Sequence, residues 1–254
     1  MLHRDVHNAY GTLEHWSSYR GIMKRDGENL RPFILSRSFF FGTQKLGPSW
    51  TGDTQALMGE PWGSLNELLS QGVAGHPFAG ADIPGYKLVP PENLWVMMYQ
   101  LGTFYPFFRA HNEINYQARE PWLQPERIQR VISDSISLRY DLIHYIYGMF
   151  YEGNQHGRPL VRAMWYEFPR EEDLITLETQ FMFGSNMLVC PKLSVNDALE
   201  GEDGSIHWAV NCTFPVGSTT DAQGERHNTR WYNWYTKLPH TGDRSGEMHL
   251  PDSQ

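Results

Sequence analysis

Basic runs are missing from this sequence. Its 21 Lys and Arg are scattered among 29 Asp and Glu, giving a formal net charge of −8. Nucleic-acid binders neutralise phosphates with clustered Lys and Arg, so this composition argues against that class. It argues equally against an anionic membrane surface as a partner. Long apolar runs are missing too. The longest, residues 94–108, is broken by Gln100, Gly102 and Pro106. It falls short of the roughly 20 apolar residues that span a bilayer. No basic–apolar leader follows Met1; if the protein is secretory, its signal belongs to a longer chain. Cysteine is scarce. Cys190 and Cys212 are too few for a disulfide framework. They either pair with each other or stand free, and the free reading is favoured. His207, His227 and His240 stand singly, without ligand-like spacing, so no metal site is expected and no cofactor is called for. Low-complexity tracts and short repeats are absent.

Aromatic residues are plentiful, at 14% of the chain with nine Trp and thirteen Tyr. Most serve packing, but flat amphipathic rings also stack on sugar faces and line pockets. Asn211-Cys212-Thr213 is a glycosylation sequon, relevant only in a secretory lumen.

Along the first two thirds, helical and short apolar segments alternate. Residues 8–25 read as a helix. Residues 32–41 read as a β-type run, residues 49–52 as a short one. A helix ends at residues 66–71 with Gly72 as its cap. Residues 75–81 are another apolar run. A helix from Pro91-Glu92 to about Tyr105 is stopped by Pro106, and residues 107–110 follow as a strand. Residues 125–153 read as one long amphipathic helix. This alternation predicts βα units and a parallel sheet buried on both faces. Arg37, Asp53, Asp82 and His111 stand at or near the ends of the four runs, and the last three are each 29 residues apart. A (β/α)8 barrel spends roughly 31 residues per unit and gathers its functional residues at strand C-termini. The fold class expected is therefore α/β, with βα units at the spacing of such a barrel followed by an antiparallel β region. Composition changes after Pro169. Short alternating runs at residues 174–183, 187–191, 206–213 and 230–236 read as antiparallel strands. The expected domains are residues 1–170 and 171–254.

Several ordered segments resemble glycoside hydrolase family 31. Leu2-His3-Arg4-Asp5-Val6-His7-Asn8-Ala9-Tyr10-Gly11 is similar to the stretch after that family's nucleophile, and residues 31–41 to its fifth strand. Trp50-Thr51-Gly52-Asp53 resembles its acid/base motif, Phe78-Ala79-Gly80-Ala81-Asp82-Ile83 its seventh strand, and Phe107-Phe108-Arg109-Ala110-His111 its eighth. Phe181-Met182-Phe183-Gly184 and Trp231-Tyr232-Asn233-Trp234 resemble its β-sandwich. Any one of these would be a weak signal, but the five barrel segments in order at matching spacing are specific.

The resemblance implies a role for each residue. Retaining glycosidases use two carboxyl groups about 5–5.5 Å apart, one as nucleophile and one as acid then base. Asp53 takes the acid/base position. Such an acid holds its proton through apolar surroundings or a neighbouring charge, and Trp50 could supply apolar surface. Arg37 offers a planar fork of donors to the glucose subsite. Asp82 and His111 would hold sugar hydroxyls there, Arg109 would support them, and Tyr86 would be an aromatic wall. Without the resemblance, Asp53 and Asp82 would read as turn residues, Arg37 as an ion-pair partner and His111 as a satisfied loop histidine.

The pattern departs in places: Thr54 stands where the family has Asn, Met58 where it has Trp, Pro84 where it has Gly, and Glu178-Thr179-Gln180 lacks an Asp. The family's nucleophile belongs before the Leu2 segment. The resemblance thus implies the C-terminal half of a (β/α)8 TIM barrel followed by a partial antiparallel β-sandwich, as a fragment of a longer enzyme. The family implies removal of terminal glucose from α-linked oligosaccharides, in the endoplasmic reticulum lumen for its glucosidase branch that works with a non-catalytic partner subunit. Two other readings stay open: a carbohydrate-binding remnant without activity, and a non-catalytic assembly piece.

Overall fold

In the computed structural model, the segment at Ser49–Trp50 (β1) runs parallel to Ala79–Gly80 (β2), with Ser49 opposite Ala79. Asp82–Ile83 (β3) runs parallel to Arg109–Ala110 (β4), with Asp82 opposite Arg109. The structure describes residues 2–27, 31–194, 198–200, 206–220, 226–240 and 245–249, without side chains for 198–200, 206–209, 218–220, 226–228 and 245–249. The chain divides into two units, Met1–Arg162 and Ala163–Gln254.

The first unit alternates helices with these short parallel segments. Its helices are α1 (His3–Asp26), α2 (Glu60–Val73), α3 (Glu92–Gly102), α4 (Glu126–Asp141) and α5 (Ile143–His156), and it ends in β5 (Val161–Arg162). The amide of Thr51 donates to Gly80 O and that of Phe107 to Ala79 O. β1, the run of β2 and β3, and β4 are thereby stitched side by side, which brings their C-terminal ends to one edge. Leu65 and Leu68 of α2, Leu94, Met98 and Leu101 of α3, and Ile128 and Ile132 of α4 are buried with Ile83. Tyr105 is fully buried and its hydroxyl meets Ser64 Oγ at 2.6 Å. Arg139 closes the end of α3, donating to the carbonyls of Thr103 (2.7 Å), Tyr105 and Pro106 (3.1 Å). Cations belong at such carbonyl-rich helix ends, and burial lowers Arg139 to about 10.

Several boundaries differ from the sequence reading. The first helix begins at His3 and runs to Asp26, and the third ends at Gly102. Residues 32–41 form no strand. Ser36 N donates to Pro48 O, but Pro48 has no N–H to return, so the ladder stops there. Phe33, Phe39, Phe40 and Phe41 are exposed. Gly72 lies inside α2 and does not cap it. A Cβ there would meet Pro159 Cβ at 3.0 Å and Val161 O at 3.3 Å, so close packing is what favours glycine. The long helix is interrupted at Leu142, where ψ relaxes to −5°. Hydrogen bonds from Leu142 N to Leu138 O and from Ile146 N to Leu142 O bridge the interruption, and Leu142 stays buried.

The second unit opens with α6 (Met164–Glu167). β6 (Phe181–Phe183) pairs antiparallel with β7 (Met187–Val189). β8 (Ala198–Glu200) and β12 (Ser245–His249) flank β9 (Ile206–Thr213), and β10 (Ser218–Thr220) pairs with β11 (Arg226–Asn228), all antiparallel. Met164, Leu174, Met182, Val210, Cys212 and Phe214 are buried around Leu188 and Trp231. Gln180 extends the β9 end as a side-chain rung: Nε2 donates to Thr213 O at 2.7 Å and Oε1 accepts from Thr213 N at 2.8 Å.

Of residues 174–183 only Phe181–Phe183 is strand, because Glu172–Leu174 closes a 3-10 turn that buries Leu174. Residues 230–236 are not a strand either. Asn233 Oδ1 accepts from the amides of Tyr235 and Thr236, a side-chain turn of the kind Asn favours. The two cysteines are not free. Cys190 and Cys212 form a disulfide with a Cα–Cα distance of 5.8 Å, within the span that a disulfide bridges. The side chains of His207 and His227 lie outside the described ones. Among the described residues no group of three or more His, Cys, Asp or Glu could hold a metal. No described helix is long and apolar enough to cross a membrane.

Candidate active site

The site grows from the ends of the parallel segments. After β1 the chain turns through Gly52 at φ 86°, and a Cβ at this glycine would lie 2.7 Å from the Arg37 guanidinium. Only glycine satisfies both the backbone and the close approach. The turn lifts Asp53 outward, where Arg37 Nη1 faces its Oδ1 at 3.4 Å.

Asp82 lies deeper, with a side chain only 1% exposed. Arg109, its partner in the register of β3 and β4, donates to Oδ1 through Nε at 3.1 Å and also through Nη2. Oδ2 has no hydrogen-bond partner. A buried acceptor left open costs free energy unless something arrives to fill it. Burial pushes the Asp82 carboxyl up; the Arg109 hydrogen bond and charge, with His111, pull it back, while Asp53 pushes it up again. Arg109 also spreads over the Trp50 ring at 5.0 Å and the Phe107 ring at 5.5 Å. This contact orients both the cation and the indole. Trp50 Nε1 is buried and unpartnered as well.

The third wall comes from the loop after β3. Ile83-Pro84 is a cis peptide bond. The amides of Tyr86 and Lys87 both donate to Thr54 O, directly beyond Asp53. The Tyr86 ring stacks on His111 at 5.2 Å with an interplanar angle of 24°. His111 N in turn donates to Ile83 O. The structure thus brings all seven expected residues, Arg37, Trp50, Asp53, Asp82, Tyr86, Arg109 and His111, to the strand ends of the first unit.

Sequence reasoning passed over Glu60, the first residue of α2. Burial pushes its carboxyl up to about 8, with Glu67 and Asp82 adding repulsion. A Glu before Pro at a helix start reads as ordinary capping chemistry, so nothing in the sequence marked its proximity to Asp82. Arg119 was passed over too. It stands alone between loop residues, and its importance depends on carbonyls more than 30 positions away.

Chemically, the arrangement offers one exposed carboxylate beside a guanidinium, one buried carboxylate with a free oxygen, an imidazole and flat aromatic walls. Such a set of groups can hydrogen-bond a polyol and exchange a proton at its rim, the chemistry of a carbohydrate-active enzyme on a (β/α) frame. The model for the glycosyl hydrolases family 31 TIM-barrel domain matches residues 1–149, and that for the glycosyl hydrolase family 31 C-terminal domain matches residues 157–254. The chain belongs to glycoside hydrolase family 31, as part of its TIM barrel followed by its C-terminal domain. It is similar to neutral alpha-glucosidase AB of Sus scrofa, 40% identical over 189 residues, 74% of this chain and 20% of that protein. It is also similar to a probable glucan 1,3-alpha-glucosidase of Arabidopsis thaliana, 43% identical over 187 residues, 74% of this chain and 20% of that protein. Among solved structures, an ER glucosidase II heterodimeric complex of catalytic subunit and regulatory-subunit binding domain matches with a TM-score of 0.86. The identity there is 33%, over 99% of this chain and 25% of that one. The chain spans 20% of the length of these curated relatives.

Proposed function

We propose that this chain supplies the acid/base carboxyl and some of the glucose-holding residues of a retaining α-glucosidase that releases terminal α-linked glucose from oligosaccharides. The observation that carries the reading is the contrast between two carboxylates. Asp82 is buried, fixed by Arg109 through one oxygen and open at the other. Asp53 stands at the rim, with 39% of its side chain exposed. The first suits recognition of a sugar hydroxyl. The second suits exchange of a proton with a leaving group and then with water.

In this reading Asp82 Oδ2 accepts from a glucose hydroxyl and His111 hydrogen-bonds to another. Arg37 holds Asp53 in reach of the glycosidic oxygen, and Trp50 and Tyr86 close apolar faces around the ring. Asp53 protonates the departing oxygen as the bond to the anomeric carbon breaks. It later takes a proton from the water that attacks the glycosyl-enzyme. The nucleophile is assigned to a segment outside these 254 residues. The domain division proposed is a catalytic part over residues 1–170 and a β-sandwich part over 171–254.

Likeness to an endoplasmic-reticulum glucosidase supports the lumen as the place of action and a non-catalytic subunit as partner. The Cys190–Cys212 disulfide fits an oxidising compartment. No metal, nucleic acid or membrane has a part in the reaction proposed. The test is Asp53→Asn in the complete enzyme. Hydrolysis of a natural disaccharide falls by about 10²- to 10⁴-fold, the usual contribution of general acid catalysis, while substrate affinity is kept. Unchanged turnover on the disaccharide removes Asp53 from the role.

A further inference from the structure

Arg119 is buried in the stretch between β4 and the 3-10 turn at Pro121–Leu123. Its guanidinium donates through Nη1 to Gly85 O and through Nη2 to Leu88 O. None of the ion pairs among the described residues includes it. A guanidinium taken out of water without a carboxylate is costly to keep. Main-chain carbonyls are its compensation, and they are the two that bracket Tyr86.

The loop between them does not hold its shape by local preference. Gly85 has φ 122° and Leu88 has φ 66°. A non-glycine residue in the left-handed region persists where its surroundings over-determine it. The rest of the loop's bonding is main chain. Tyr86 and Lys87 amides donate to Thr54 O, the Ala56 amide to Lys87 O, and the Glu113 amide to Tyr86 O. One edge of the loop is therefore tied to the segment beyond Asp53, the other to the segment beyond His111, and Arg119 holds both ends.

We propose that Arg119 is a positioning residue of the glucose subsite: its fork fixes the loop at residues 85–88, and so sets the Tyr86 ring against His111 and against the face of a bound pyranose. The inference rests on the subsite reading above for the sugar contact, whereas the clamp on the loop stands without it. Lysine cannot do the same work, because a single ammonium does not span two carbonyls in one plane.

Hydrogen exchange and glucose affinity, measured on Arg119→Met, Tyr86→Ala and the double variant, test this. Arg119→Met is expected to speed exchange at the Tyr86, Lys87 and Glu113 amides by about tenfold or more, with α3 amides unchanged. It is expected to weaken glucose by about tenfold, the equivalent of one charge-assisted hydrogen bond. The double variant binds no worse than Tyr86→Ala alone. Unaltered exchange in the loop overturns the clamp, and multiplicative losses in the double variant overturn action through Tyr86. If the unsubstituted protein binds no glucose, the subsite reading fails and the exchange data alone decide the clamp. Should Arg119→Met fail to fold, Arg119→Lys gives the same readouts, with full retention of affinity and exchange as the contrary result.

Discussion

Arg37 and Asp53 face each other at 3.4 Å across the Gly52 turn, with 58% and 39% of their side chains exposed. A pair so open to water contributes little to stability, about 0–1 kcal/mol. In the proposed function the pair serves the reaction rather than the fold. Arg37→Met is expected to leave the denaturation midpoint almost unmoved. In the complete enzyme it should lower kcat/KM on a disaccharide by tenfold or more, about 1.4 kcal/mol of transition-state stabilisation. A large loss of stability with unchanged kinetics would make the pair structural.

The Asp82–Arg109 pair is the opposite case. Asp82 is buried, and Arg109 is its main compensation. Arg109→Met leaves a buried carboxylate alone and should cost about 3 kcal/mol. Burial then raises Asp82 unopposed by its cation. A carboxyl raised in the fold gives stability below its unfolded pKa and loses it as pH rises. The penalty should therefore be largest near pH 8 and shrink toward pH 4, as read from urea midpoints across that range.

Two further groups titrate with opposite sign. Glu60 is pushed up to about 8 by burial, with Glu67 and Asp82 contributing. Its contribution is complete below its unfolded value of 4.5 and is lost as pH rises through 8. His76 is buried against Phe39 and lowered to about 4, first by burial and then by His15. Its contribution is complete above 6.5 and is lost as pH falls toward 4. Glu60→Gln should flatten the alkaline decline of the denaturation midpoint, and His76→Phe the acid one. Profiles left unchanged by both substitutions would contradict these assignments.

The Cys190–Cys212 bond closes a loop of 22 residues in the second unit. Loop-closure entropy for that length is worth about 3 kcal/mol. Replacing both cysteines by serine should lower the unfolding free energy of that unit by this order. Protection in the helices of the first unit should be unaffected in hydrogen exchange.

The grouping of Asp53, Asp82 and His111 at one set of strand ends was legible because they follow short apolar runs at a repeat of one barrel unit, while the roles proposed for them come from the family resemblance. Local structure was less so. Residues 32–41 have the composition of a strand, yet Pro48 opposite offers no donor, and a partner's missing N–H does not appear in the run itself. Leu142 carries no breaker residue, so nothing local signalled the interruption between α4 and α5. Gly72 resembled a cap because spacing cannot reveal Pro159 packed against it. The cysteines were misjudged because their pairing depends on β7 and β9 lying close, a tertiary fact. Arg119 escaped for the same reason, since its partners are backbone carbonyls that no motif records.

The role proposed for Asp53 is that of acid/base and not of nucleophile. Azide rescue of Asp53→Ala in the complete enzyme, with an activated aryl α-glucoside, tests it most directly. Azide replaces the water that Asp53 would activate and attacks the glycosyl-enzyme without needing a base. The expected result is restored turnover with α-glucosyl azide as product, the configuration of the substrate. β-Glucosyl azide, the product of direct attack on the substrate, would contradict the assignment and make Asp53 the nucleophile.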